Sequence, residues 1–128
     1  MKKFLFSAFI VGTSVFASDP FKLVKTAELA TMLSEKTPTQ VFDANGEKVR
    51  KEEGIIPGAK LLASSSKYDT KVLPTDKATR LVFYCYNEAC TASHSAAKRA
   101  GEAGYKNLYV LSDGITGWKQ AGQKTAMP

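Results

Sequence analysis

Leu81–Ala97, LVFYCYNEACTASHSAA, decides how this chain is read. Leu81–Tyr84 is an apolar strand, and a polar turn follows with a cysteine at each end, Cys85 and Cys90. The small residues from Ser93 onward begin a helix. A cysteine at the carboxyl end of a buried strand, running through a loop into a helix N-terminus, is placed to become a thiolate. The unpaired N–H groups and the positive end of the helix dipole stabilise negative charge there. That environment lowers a thiol pKa and makes the sulfur nucleophilic. Cys85 is therefore the candidate nucleophile, preferred over an inert cysteine at a strand end.

These are the chain's two cysteines. A structural bridge gains most by closing a long loop, and this one closes a very short one. Redox or sulfur chemistry suits the pair better than a staple. Cys90 reads equally as a resolving thiol that attacks an oxidised or persulfidated Cys85 and as a loop-filling residue oxidised in passing. Two thiolates and His94 fall short of a four-ligand set, so neither a metal nor another cofactor is expected. His94 is read as a surface residue on the first helical turn, since a cation there opposes the dipole; the sharper alternative is a proton donor or a cation beside the thiolate. Thr91 or Ser93 serves as the helix cap. Asn87 and Glu88 occupy the loop tip, where they select an acceptor or are simply solvated. Alternation sends Tyr84 and Tyr86 to the face opposite Cys85.

Outward from this stretch, short apolar runs alternate with helical ones. Phe21–Val24, Gln40–Ala44, a short segment around Lys60–Leu62, Leu81–Tyr84 and Leu108–Leu111 read as strands. Thr26 caps a helix over Ala27–Glu35, Ser93–Ala103 is a helix stopped by Gly104, and Ile115–Gln120 is a short final helix with Trp118 in the core. Glu47–Glu53 is exposed helix or loop. Ser64–Lys77 is irregular with one helical turn, and Gly122–Pro128 is a loose tail. The pattern predicts an α/β fold with a mostly parallel sheet, in which ligands sit beyond the carboxyl ends of the strands. Cys85 lies at such an end.

Residues 1–17 begin Met1-Lys2-Lys3, run apolar from Phe4 to Phe16 and end in small residues. They are expected to be a signal peptide, with 18–128 forming one domain. The apolar run is too short to span a bilayer comfortably, so no stable membrane anchor is expected after cleavage. The expected destination is the bacterial periplasm or cell envelope. The full chain carries 18 Lys+Arg against 12 Asp+Glu, and loss of Lys2 and Lys3 leaves a formal +4. The charges are scattered, which argues against nucleic acid as a partner.

Three motifs in order resemble the rhodanese-like domain family. Phe42-Asp43-Ala44-Asn45 followed by Gly54-Ile55-Ile56-Pro57-Gly58-Ala59 is similar to its Asp-x-Arg segment and Gly-His-Ile-Pro-Gly-Ala turn. Val82–Cys85 with Ser93–Ala97 is similar to its active-site strand, loop and helix. Leu111–Trp118 is similar to its closing Gly-Gly-x-x-x-Trp. The resemblance implies a central, mostly parallel five-stranded sheet flanked by helices on both faces. It also implies a sulfurtransferase in which Cys85 carries sulfane sulfur as a persulfide, taken from a donor such as thiosulfate and passed to a thiophilic acceptor. The substrate loop would be Tyr86, Asn87, Glu88, Ala89, Cys90, Thr91, Ala92 and Ser93, with amides from Tyr86 to Ala92 around the sulfur.

The chain departs from the pattern in several places. No arginine lies between Cys85 and Ala97, and the loop is longer than in common sulfurtransferases. A longer loop suits the phosphatase branch of the superfamily, but the missing arginine makes that chemistry remote. Asn45 stands where arginine is usual, Arg50 near the usual acidic position, and Ile55 replaces histidine; these read as structural exchanges, with Arg50 either paired to Asp43 or solvated. Small sulfur-containing anions or thiol acceptors, and a partner redox protein, are the implied partners. Two rivals stand beside the enzyme: a dithiol–disulfide redox or sulfur-carrier protein using Cys85 and Cys90, and a non-catalytic rhodanese-like binding module.

Overall fold

A strand whose residues are apolar on both faces must lie inside a sheet covered on both sides. In the computed structural model, which describes residues 19–128, Leu81–Tyr84 lies in the middle of a five-stranded sheet. The elements run β1 (Lys22–Val24), α1 (Thr26–Ser34), β2 (Thr39–Asp43), α2 (Glu47–Glu53), β3 (Lys60–Leu61), a 3-10 turn at Thr70–Val72, β4 (Arg80–Tyr84), α3 (Ala92–Glu102), β5 (Leu108–Leu111) and α4 (Gly114–Gln120). The strand order is β1-β5-β4-β2-β3, and every neighbouring pair is parallel.

Alternation along β4 divides the core in two. Leu81, Phe83 and then Cys85 pack with Phe42, Tyr68 and the alanines of α3. Val82 and Tyr84 pack on the other face with Leu29, Leu111, Ile115 and Trp118, from α1, β5 and α4. Ala96, Ala97 and Ala100 are fully buried, so α3 lies close against the sheet. The five strands with helices on both faces match the expected architecture, and element boundaries shift by a residue or two.

Segments left open in the sequence take definite form. Glu47–Glu53 is a helix with two i,i+4 ion pairs, Lys48–Glu52 at 3.1 Å and Lys51–Glu47 at 3.7 Å. The irregular stretch before β4 is pinned by buried Tyr68, whose hydroxyl donates to the Ala96 carbonyl at 2.7 Å while Arg99 Nε donates to the Tyr68 carbonyl at 2.7 Å. Burial pushes that phenol up to about 12, although Arg99 opposes the shift.

Two expectations are corrected. Lys25, not Thr26, occupies the N-cap position of α1, and Thr26 is the first helical residue. Its amide and hydroxyl both donate to Asp113 Oδ2, at 3.0 and 3.1 Å, so the cap comes from another part of the chain. The tail is not loose. Ile55 and Ala126 exchange backbone hydrogen bonds of 2.9 and 2.8 Å, and the buried Trp118 indole donates to the Lys124 carbonyl at 2.7 Å. Buried polar groups need partners, and the tail supplies them. The expected signal peptide, 1–17, lies outside the described residues. Among those described, no helix is long and apolar enough to cross a membrane.

Candidate active site

β4 ends at Tyr84, and Cys85 follows it into the interior with 1% of its surface exposed. The first turn of α3 lies against its sulfur: the Ser93 hydroxyl is 3.4 Å from Cys85 Sγ. Cys85 and Cys90 are joined in a disulfide with Cα atoms 6.3 Å apart, a separation ordinary for such bridges. A bridged sulfur carries no hydrogen, so Ser93 donates. Ser93 is thus the second residue of α3 with its hydroxyl on sulfur, not a cap, and Thr91 holds the N-cap position without a side-chain hydrogen bond.

The start of α4 holds the other side of Cys85. Gly114 has φ of +66°, and a Cβ there would stand 2.4 Å from the Tyr86 carbonyl oxygen. That approach needs glycine. It lets the Ile115 and Thr116 amides donate to the Cys85 and Tyr86 carbonyls at 2.9 and 3.1 Å. One helix start therefore meets the sulfur and another fixes the backbone that carries it.

The donor ring expected from Tyr86 to Ala92 is partly turned inward. The Ala89 amide donates to Asn87 Oδ1 at 3.0 Å and the Cys90 amide to the Asn87 carbonyl at 3.1 Å. Asparagine favours such local turns. Tyr86 is exposed, because the strand has ended and alternation no longer directs it; Tyr84 is buried on the face opposite Cys85 as expected.

A cleft of about 300 Å³ opens beyond the carboxyl ends of β1 and β5. Leu23, Lys25, Glu88, Cys90, Ser93 and His94 are among its walls; Cys85 is not. His94 is half-buried at the rim, its ring 5.0 Å from that of Phe21 and tilted edge-on. Lys25 Nζ reaches Glu88 Oε2 at 3.2 Å and Asp113 Oδ1 at 3.4 Å. Hydrogen bonds to Glu88 and then to Asp113 raise its pKa. Neither Lys25 nor Asp113 lies in the cysteine loop, and neither is marked by its neighbours in the sequence. Asp113-Gly114 signalled only a turn, and nothing local shows that β1 lies beside β5.

Beneath the loop, Asp43 and Arg50 pair at 3.1 Å, and Arg50 Nη2 also donates to the Asp43 and Leu62 carbonyls. Arg50 is thus paired and largely buried, not solvated.

Asp113 gives a pH test. Burial alone would raise its pKa, but the Thr26 amide and hydroxyl, with Lys25, outweigh that and lower it. A lowered folded-state value means stability present above the ordinary aspartate pKa and lost as pH falls through the folded one. Asp113→Ala is expected to cost about 1 kcal/mol at neutral pH. The gap from the parent protein should narrow in urea titrations as pH falls below the ordinary aspartate range.

A family model described as the rhodanese-like domain matches residues 25–121. Solved structures agree in fold. A rhodanese-like domain protein from Staphylococcus aureus is 25% identical, with TM-score 0.59 over 77% of this chain and 91% of that one. A rhodanese-related protein from Thermoplasma volcanium is 17% identical, with TM-score 0.69 over 84% and 100%. A thiosulfate sulfurtransferase from Pseudomonas aeruginosa is 23% identical, with TM-score 0.68 over 84% of this chain but 20% of that longer one. No curated protein matches the sequence significantly. The parallel sheet, the cysteine at the end of its central strand and the match across residues 25–121 agree: the chain belongs to the rhodanese-like domain family.

Proposed function

We propose that this protein is a sulfurtransferase in which Cys85, once its disulfide with Cys90 is reduced, carries sulfane sulfur as a persulfide. The observation that carries the reading is the position of Cys85: it follows the central strand, and the first turn of α3 meets its sulfur through Ser93. A helix start favours both the thiolate and the persulfide anion. The Cys85 thiolate attacks the outer sulfur of thiosulfate, the S–S bond of the donor breaks, and sulfite departs with the bonding pair. A thiophile such as cyanide then takes the outer sulfur and restores the thiolate. The likeness to a thiosulfate sulfurtransferase supports the donor class.

The disulfide favours a second reading, a dithiol redox or sulfur-carrier protein. There the Cys90 thiol attacks the Cys85 sulfur of the persulfide, hydrogen sulfide leaves, and the disulfide closes with no other change in atoms or electrons. Intact-mass measurement after thiosulfate treatment of the reduced protein tests both. Gain of one sulfur atom supports the first reading, and sulfide release with loss of two hydrogens supports the second. Neither change, with no turnover, leaves a binding module.

The cleft pairs its one lysine with two carboxylates, which is unfavourable to an anionic donor. Glu88→Gln is therefore expected to lower the KM for thiosulfate about threefold, and Lys25→Ala to raise it by a similar factor. Both effects should shrink in high salt. Export to the periplasm or envelope, with removal of residues 1–17, belongs to the same proposal. N-terminal sequencing of the protein recovered from a periplasmic extract should begin at Ser18.

A further inference from the structure

The two sulfurs of the disulfide are not equally reachable. Cys85 is in the core and does not line the cleft, whereas Cys90 is half-buried and forms part of its wall. Thiol–disulfide exchange requires a thiolate to reach one particular sulfur, and the other leaves. We infer that Cys90 is the sulfur attacked by an incoming thiol, so that a dithiol partner docks through Cys90 and releases Cys85.

The chemistry favours the same polarity. Attack on Cys90 expels Cys85 as the leaving thiolate, at the start of α3 and 3.4 Å from the Ser93 hydroxyl. A stabilised thiolate leaves faster. The step forms one bond, partner sulfur to Cys90 sulfur, and breaks one, Cys90 to Cys85. The second thiol of the partner then attacks its own sulfur in the mixed disulfide and frees Cys90. Two electrons and two protons pass from the dithiol to this protein, and the partner leaves as a disulfide. Cys90 thereby serves as the entry point for reductant and Cys85 as the sulfur made ready for use. Only the later use of Cys85 rests on the sulfurtransferase reading.

The test uses the oxidised full domain, glutathione as the thiol and no sulfur donor, with N-ethylmaleimide added at short intervals to cap whatever thiol is freed. Fragment-ion sequencing of the 81–98 peptide should find glutathione on Cys90 and maleimide on Cys85, at least about tenfold over the reverse arrangement. Glutathione on Cys85, or an even split, overturns the inference. So does resistance of the folded protein to glutathione that reduces the urea-unfolded chain. Thiocyanate formation by the fully reduced protein judges the sulfurtransferase reading separately.

Discussion

Cys85→Ser should abolish thiocyanate formation from thiosulfate and cyanide, by at least about 10³-fold, because the covalent carrier is gone. A serine hydroxyl at the same place neither ionises near neutral pH nor holds sulfane sulfur. The substitution also puts a hydroxyl into the cluster with Phe83 and Ala96, so some stability is lost. Cys85→Ala, which removes the sulfur without adding a polar group, separates the two effects. Both variants should keep the far-ultraviolet circular dichroism of the parent while losing turnover. Under a strong reductant, Cys90→Ser should keep most of the sulfurtransferase activity. Equal loss in Cys85 and Cys90 variants would shift the working unit to the dithiol pair. Full activity in Cys85→Ala would end the persulfide proposal.

Asp43→Ala should destabilise the domain by about 3–5 kcal/mol, a large share of the 5–15 kcal/mol typical of a whole protein. Asp43 is fully buried, and its carboxylate accepts from the Asn45 amide at 2.7 Å, Arg50 Nε at 3.1 Å and the Tyr84 hydroxyl at 2.5 Å. Tyr84 in turn accepts from the Ile56 amide at 3.0 Å. Burial, and then the Asp43 charge, push the Tyr84 phenol far above its ordinary range, so it stays protonated and donates. Removing the carboxylate leaves the Arg50 guanidinium, which has 12% of its side chain exposed, with main-chain carbonyls but no counter-charge, and leaves the tyrosine hydroxyl without its acceptor. The expected loss in Tm is about 15 °C, measured by thermal unfolding at pH 7. Tyr84→Phe removes one hydrogen bond and no charge, and should cost about 1–2 kcal/mol. A loss below about 1 kcal/mol for Asp43→Ala would show that this network does not hold the end of β2.

What the sequence revealed follows from the range of each interaction. β4 and α3 were legible because Leu81–Tyr84 and Ala96-Ala97 carry their burial in their own composition. Cys85 was legible because strand, loop and helix adjoin in the chain. Lys25 and Asp113 were not: their meeting depends on β1 pairing with β5, across a separation of 88 residues. The order of the tail is hidden for the same reason, since Ala126 finds its partner at Ile55. Residue type and position offer Thr91 or Ser93 as the cap of α3, and Thr91 takes that position. The Ser93 hydroxyl instead faces a sulfur eight residues earlier, a contact set by how α3 lies on the sheet.

The pairing of Ile55 with Ala126 bears on where a recombinant version can be cut. Shortening the protein to residue 121, where the family match stops, would unzip that bridge and take away the acceptor of the Trp118 indole. Trp118 and Ile56, which share a pocket with Lys124, would then be opened to solvent. An affinity handle joined directly behind Ala126 would crowd the same bridge, so a purification tag belongs beyond Pro128 with a spacer.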